Sequence, residues 1–179
     1  PELKLQTAIQ LYRNRASEVH NFITIPSSLQ TVKIESKGEA NKMVKAYYLD
    51  NKLNVYYNST NDGVEDAVSV IFHEAIHYDT DQKNMYPYDE PIPTGDFEEM
   101  EGYSGEIFKL EMRIPPSNAS NNELRSYSGE IGLNKNGFTN ITQKRIDKIY
   151  EEITNYSNDR SNAESIEQKN DLSPSGKPN

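Results

Sequence analysis

The feature that most constrains this chain is the run His73-Glu74-Ala75-Ile76-His77, which lies in a segment with helical periodicity. Asp62 precedes that segment as a suitable N-cap, and Glu65 stands at the capping-box position. Two histidines four residues apart on a helix point the same way, one turn apart. The pattern therefore predicts an amphipathic helix over 63–78, with a buried face made of Val64, Ala67, Val68, Ile71 and Ala75.

Two imidazoles placed in this way can bind one Zn²⁺ ion. Glu74 is too close to the first histidine to ligate comfortably, but it can accept a proton from a water molecule that the metal acidifies. The chain has 3 histidines, and two of them fall in this motif. We therefore predict one zinc ion per chain, with His73 and His77 as metal ligands and Glu74 as the catalytic base.

Composition excludes several other kinds of site. The 179 residues include no cysteine, so thiolate zinc sites, disulfides and thiol catalysis are all excluded. The net charge of -9 disfavours nucleic acid as a partner. No stretch approaches the roughly 18 apolar residues of a transmembrane helix, so no membrane span is predicted.

The order of patterns along the chain predicts an α+β fold. The length fits one domain, which we place at 1–155, and the polar segment 156–179 is predicted to be a disordered tail. Residues 79–95 are predicted to form a loop, and a polar loop is also predicted after 113. The remaining predicted elements are helices over 3–22, 97–113 and 141–153 and strands over 31–35, 44–49 and 53–57, with a hairpin turn at 50–52.

The motif and its helical setting resemble the zincin metallopeptidases. The branch with a third histidine would need glycine and histidine where this chain has Thr80 and Lys83. The resemblance is therefore to the gluzincins, in which a Glu on a following helix is the third ligand. It implies a compact zincin-like (minigluzincin) domain with an N-terminal helix, a small, mostly antiparallel sheet, an active-site helix, a third-ligand helix and a C-terminal helix.

The predicted helix over 97–113 offers several candidates for that third ligand. A helical wheel places Glu101 at the edge of a buried face, beside the small residues Ser104 and Gly105. Glu101-Gly102-Tyr103-Ser104 also resembles the Glu-Ala-x-x-Ala pattern of small gluzincins. Glu101 is the preferred metal ligand. The alternatives left open are Glu98, Glu99, Glu106, Asp96 and Glu130, the last in a second copy of the pentapeptide Tyr-Ser-Gly-Glu-Ile.

Supporting roles around such a centre have several candidates. A transition-state oxyanion needs a hydrogen-bond donor besides the metal, and Tyr86, Tyr88 and Tyr127 are candidates. Asp79 and Asp81 are candidates to accept a hydrogen bond from a ligand histidine.

The resemblance implies hydrolysis of peptide bonds in a peptide or protein substrate, held as an added strand at a sheet edge such as 53–57. Two alternatives stay open: a zincin-fold binding module without broad proteolysis, and a housekeeping peptidase for small or cell-wall peptides. The chain also resembles bacterial metallopeptidase toxin or effector domains. That likeness implies secretion or delivery within a larger protein, and a cognate inhibitor or immunity protein; a cytoplasmic location stays open.

Overall fold

The computed structural model describes residues 2–18, 33–35, 46–49, 52–56, 63–87 and 89–172. Its elements confirm the α+β class. Within the described residues, no helix combines the length and the apolar character that a membrane-spanning segment needs. In chain order the elements are α1 (Glu2–Glu18), β1 (Lys33–Glu35), β2 (Ala46–Leu49), β3 (Lys52–Tyr56), α2 (Val64–Gln82), β4 (Ile92–Glu101), β5 (Ile107–Ile114), α3 (Ser117–Lys135) and α4 (Gln143–Leu172).

The main core lies between α1 and α2, as the periodicity of both segments predicts. Tyr12 of α1 is 1% exposed and lies beside Phe72 of α2, with ring centroids 6.2 Å apart. From the predicted buried face of α2, Val68, Ile71 and Ala75 are buried, while Val64 and Ala67 are partly buried against the same cluster. Burial of this apolar face fixes the orientation of α2, and the two histidines lie on the part of the helix that turns toward α3.

The predicted strands in the first third of the chain are confirmed within the described residues, and β3 begins one residue earlier than predicted. They form a sheet of order β1-β3-β2, in which β3 pairs with β2 antiparallel and with β1 parallel. The turn predicted at 50–52 lies mostly outside the described residues, because only Lys52 of it is described, as the first residue of β3. The proposed N-cap Asp62 also lies outside them.

The predicted helix over 97–113 is wrong, because this segment forms the antiparallel hairpin β4–β5. Residues 107–114 alternate apolar and polar side chains after Ile107, a period of two that favours a strand. Between the strands, Gly105 has φ +76, a conformation that glycine adopts without strain, and its amide donates to the carbonyl of Gly102 at 3.0 Å. The two glycines thus make a turn in the middle of the predicted helix. The loop before the hairpin is also shorter than predicted, since α2 runs to Gln82.

The polar loop predicted after residue 113 is wrong as well, because residues 117–135 form α3. The segment is rich in Ser and Asn, which have modest helix propensity. Its support is tertiary: the Glu167 carboxylate of α4 accepts from the backbone amide and the hydroxyl of Ser117 at 2.9 and 2.8 Å. This cap satisfies an otherwise free donor at the first turn of α3.

The predicted disordered tail is wrong for residues 156–172, since α4 continues to Leu172; residues 173–179 lie outside the described part. Side chains at a 3–4 spacing keep this half of α4 on α3. Tyr156 stacks on Tyr127 of α3 with centroids 6.0 Å apart, Ala163 is 1% exposed, and Glu167 caps α3. The segment has few apolar residues, yet those it has fall on one helical face.

The burial of Ala163 gives a direct test of this longer helix. Ala163→Asp would place an unpaired carboxylate in the α3–α4 interface and is expected to lower the free energy of unfolding by at least about 2 kcal/mol. The matched control is Ser165→Asp, at an exposed position two residues further on. Urea denaturation followed by circular dichroism measures both. Equal stability of the two variants would contradict the packing of this part of α4.

Candidate metal centre

Helix α2 brings the two motif histidines together as predicted. The Nε2 atoms of His73 and His77 lie 3.1 Å apart, and the rings meet edge to face with centroids 4.8 Å apart. Both imidazoles are largely buried, with side-chain exposures of 8% and 13%. The i, i+4 spacing thus brings the two Nε2 atoms to one point, as the sequence predicts.

Helix α3 adds a carboxylate at that same point. One Glu123 oxygen lies 3.3 Å from His73 Nε2, and the other lies 3.5 Å from His77 Nε2. The Glu123 side chain is 30% exposed, so the cluster is closed by protein on the histidine side and reached by solvent past Glu123. Two histidine nitrogens and the Glu123 carboxylate therefore converge at one point, with the carboxylate partly exposed to solvent.

Hydrogen bonds at the other ring nitrogens determine what the Nε2 atoms can do. His73 Nδ1–H donates to a Glu130 oxygen at 3.0 Å, and His77 Nδ1–H donates to Asn122 Oδ1 at 2.8 Å. In a neutral imidazole, a proton on Nδ1 leaves a lone pair on Nε2. Two lone pairs and a carboxylate then face one another, an arrangement that is favourable only with a proton or a metal cation between them.

The spacing of these atoms fits a tetrahedral zinc ion. Zinc–ligand bonds of about 2.0–2.2 Å place neighbouring ligand atoms roughly 3.3 Å apart in a tetrahedron. The two Nε2 atoms lie 3.1 Å apart, and the Glu123 oxygen nearest to each lies 3.3 Å from His73 and 3.5 Å from His77, so all three separations are close to that value. Two histidines and one glutamate could thus hold zinc and leave a fourth position facing solvent.

Glu130 supports this arrangement from within the core. Its side chain is 0% exposed, and the pKa of its carboxyl is lowered because the bond from His73 and the charge of Arg145 outweigh burial. Ser69 Oγ donates to Oε1 at 2.6 Å, and Arg145 donates to the same oxygen through Nε at 3.1 Å and Nη2 at 2.6 Å. A buried carboxylate with these partners stays ionised and fixes the ring of His73.

Close packing of α3 on α2 brings Glu123 within reach. A Cβ atom added at Gly129 would lie 2.2 Å from the Cδ1 atom of Ile76 and 3.3 Å from Phe72, so a larger residue there would displace the end of the Ile76 side chain. Two residues beyond Glu123, Arg125 donates to Asp79 at 2.7 Å and to the Thr80 hydroxyl at 2.6 Å. The two helices are thereby joined on both sides of the histidine pair.

The electrostatics of the cluster favour a bound cation. Burial lowers the pKa of His73, but the Glu123, Glu130 and Glu74 carboxylates outweigh it and raise that pKa to about 9. For Glu123, burial is likewise outweighed by hydrogen bonds from both histidines, which hold its pKa at about 2. In the metal-free protein, a proton on His73 therefore takes the place that a metal cation would occupy.

Glu74 lies beside the cluster as the third member of the group His73, Glu74 and His77, whose ligand-type atoms lie within 4.8 Å of one another. Its side chain is buried, and burial raises the pKa of the carboxyl more than the neighbouring histidines lower it. A raised pKa brings a carboxylate closer to the range in which it is an effective general base near neutral pH. The arrangement suits proton transfer by Glu74 and ligation by Glu123.

Of the tyrosines predicted as hydrogen-bond donors, Tyr127 is beside the cluster. Its ring meets His73 edge to face with centroids 4.4 Å apart, one turn of α3 beyond Glu123. Burial, together with the Glu123 charge, raises the pKa of its hydroxyl strongly, so the proton is retained for donation. Tyr86 lies in the partly exposed loop after α2, and Tyr88 lies outside the described residues.

The structure does not bring the preferred third ligand Glu101 to the histidines. Glu101 is exposed at the end of β4, because its segment is a strand and not a helix. The other candidates, Glu98, Glu99, Glu106 and Asp96, are exposed in the same hairpin. Asp79 pairs with Arg125 and Lys83, not with a histidine, and Asp81 is exposed.

The sequence patterns did not identify Glu123 or Asn122. They gave Glu130 as a candidate metal ligand, whereas in the structure Glu130 supports the ring of His73. A signal was available in the spacing of Ser120, Glu123, Ser126, Glu130 and Leu133, which repeats every three or four residues. Ser120, Ser126, Glu130 and Leu133 are buried, so this repeat marks one face of α3. The polar composition of that face concealed it from a search for apolar periodicity.

No protein-family model matches this chain, and neither curated proteins nor solved structures gave a match. The assignment of the site therefore depends on its geometry.

Replacement of Glu123 tests that geometry against the sequence-based choice. Glu123→Ala is expected to lower zinc affinity by more than the roughly 10- to 100-fold typical of a supporting residue, because a ligand is lost. Glu101→Ala should bind zinc as the unmodified chain does. Zinc titration against a competing chelator measures both. Loss of zinc in the Glu101 variant alone would overturn the assignment of Glu123.

The raised pKa of His73 makes metal binding depend on pH. Below a pKa of about 9 the metal-free protein holds a proton that zinc must displace. Zinc affinity should therefore rise about tenfold per pH unit between pH 6 and 8 for each proton released. Calorimetry in buffers of different ionisation enthalpy counts those protons. An affinity that is constant over this range would contradict a protonated His73.

Proposed function

We propose that this chain is a zinc-dependent metallopeptidase whose metal ligands are His73, His77 and Glu123. The observation that carries the proposal is the convergence of the two Nε2 atoms with the Glu123 carboxylate, at separations of 3.1 to 3.5 Å. The buried Glu74 beside this point supports a catalytic use of the metal, since a purely structural zinc site has no need of a general base.

A zinc ion bound there would supply Lewis acidity, which lowers the pKa of water and polarises a peptide carbonyl. Glu74 accepts the proton of the attacking water on its carboxylate and then delivers it to the leaving amine. Breaking the C–N bond adds the elements of water to the two products, so Glu74 returns to its starting state. Burial of Glu74 beside the histidines keeps its carboxylate in place for both transfers.

Tyr127 is the hydrogen-bond donor that we propose for the oxyanion. Its hydroxyl stays protonated, its ring is held between His73 and Tyr156, and it is on the same helix as Glu123. A preorganised donor of this kind stabilises charge that develops on the substrate carbonyl oxygen. Secretion or delivery as a bacterial effector, and an immunity partner, stay predictions from resemblance.

Glu74→Gln separates metal binding from catalysis. The amide cannot accept the proton, so peptide hydrolysis is expected to fall by at least about 100-fold, while zinc content is kept. Cleavage of an unstructured protein with added zinc, together with elemental analysis, measures both properties. Glu151→Gln, on the exposed side of α4, is the matched control and should retain activity.

Three results would distinguish the alternatives. Zinc with chelator-sensitive cleavage that is lost in Glu74→Gln supports the peptidase. Zinc with cleavage of short peptides alone favours the small-peptide enzyme. Zinc without hydrolysis of any tested peptide favours the binding module and contradicts the catalytic role of Glu74.

A further inference from the structure

The β4–β5 hairpin exposes more apolar surface than any other part of the described chain. Among the described residues, nine large apolar side chains are exposed, and seven of these nine belong to this hairpin. They are Phe97, Met100, Tyr103, Ile107, Phe108, Leu110 and Met112. Concentrated exposure of aromatic and methionine side chains is typical of surfaces that bind another protein.

The strand pairing gives the hairpin two different faces. Met100 is opposite Phe108, Glu98 is opposite Leu110, and Met112 follows on the same side of β5, so this face is apolar except for Glu98. The other face carries Glu99 opposite Lys109 and Glu101 opposite Ile107. Among the described residues the two strands pair only with each other, so no further strand is paired along either outer edge.

The charge of the hairpin indicates what kind of surface fits it. Residues 92–114 contain six acidic side chains against two basic ones, Lys109 and Arg113. Like charge disfavours a second copy of this chain, whose net charge is -9, and also an anionic lipid surface. A cationic polypeptide that alternates basic and apolar residues matches the charges, the apolar face and the open edges together.

The base of the hairpin is close to the metal centre. Asn118, in the first turn of α3, donates to the carbonyl of Pro87 at 3.2 Å and to Asp89 at 2.9 Å, which fixes the segment leading into β4. Asn122, which orients His77, is one helical turn further along α3, about 5–6 Å away. The end of the hairpin at Ile92 and Ile114 is thereby fixed on the side of α3 that carries Asn122.

We propose that the β4–β5 hairpin is a docking surface for a cationic, extended segment of a substrate protein. The segment adds to the hairpin edge through backbone hydrogen bonds and places its apolar side chains on Met100, Phe108, Leu110 and Met112. Its identification as substrate rests on the proposed peptidase function, whereas the docking itself depends on the hairpin alone.

The test measures binding apart from cleavage. A fluorescent 12-residue peptide of alternating Val and Lys is titrated into the full-length Glu74→Gln protein with zinc. An alternating Val-Glu peptide tests the effect of charge, and an alternating Gly-Lys peptide tests the effect of the apolar side chains. The Val-Lys peptide is expected to bind at least about tenfold more tightly than either.

Variants then locate the binding surface. The double substitution Phe108→Ser and Leu110→Ser removes two exposed side chains and should weaken Val-Lys binding by at least about tenfold. Tyr150→Ser, an exposed aromatic outside the hairpin, is the matched control and should bind normally. Circular dichroism and zinc content confirm that each variant is folded.

Three outcomes would overturn the docking proposal: equal binding of the Gly-Lys peptide, unchanged binding in the hairpin variant, and preferential binding to phosphatidylglycerol vesicles. A separate assay with Glu74 intact follows cleavage of an unstructured protein with and without an added Val-Lys segment. Faster cleavage with that segment supports the substrate role. Hairpin-dependent binding without any cleavage refutes the peptidase and the substrate role, but leaves the docking surface supported.

Discussion

The buried carboxylate of Glu130 constrains the packing of three helices. An ionised group that is 0% exposed must be paired and hydrogen-bonded, or its burial would cost several kcal/mol. Its partners come from α2, through Ser69 and His73, and from α4, through Arg145. Loss of Arg145 would leave the charge uncompensated, and loss of Ser69 or His73 would leave an acceptor unsatisfied, so these bonds favour the observed packing of the three helices.

The metal centre follows from that arrangement. Glu130 accepts a hydrogen bond from Nδ1–H of His73, and Asn122 accepts one from Nδ1–H of His77, so both Nε2 atoms turn toward Glu123. Gly129, next to Glu130 in the chain, lets α3 approach α2 closely, so the Glu123 carboxylate can reach the two histidines. The residues that hold the ligands are thus also residues that hold α3 against α2. Metal binding and fold stability should be linked, since a cation that binds the native cluster stabilises the native state.

The sequence predicts those parts of the molecule whose determinants are local. The helix that carries His73, Glu74 and His77 follows from apolar periodicity, and so does the packing of α1 against it. The hairpin was misassigned because its Glu, Met and Leu residues have high helix propensity. The pentapeptide Tyr-Ser-Gly-Glu-Ile shows the difficulty most clearly. At 103–107 it forms the turn region of a hairpin, and at 127–131 it lies inside α3.

The sequence patterns do not predict Glu123 as a candidate ligand, for a related physical reason. Its helix is stabilised by a distant cap from Glu167, by the bond from Arg125 to Asp79 at the end of α2 and by the buried Glu130, and none of these contacts is a local pattern. The helical structure of the second half of α4 was not predicted, because its sequence is mostly polar. A few side chains that pack on α3, such as Tyr156 and Ala163, are enough to stabilise it.

The β4–β5 hairpin lies between α2 and α3 in the chain, and its strands carry exposed or partly buried side chains only. Substitutions there change neither the core nor the ligands. Selection can therefore act on the hairpin and on the metal centre separately. Related chains that keep the same helices can be expected to differ most in this hairpin, so that the proposed recognition surface diversifies in evolution while the proposed metal ligands stay constant.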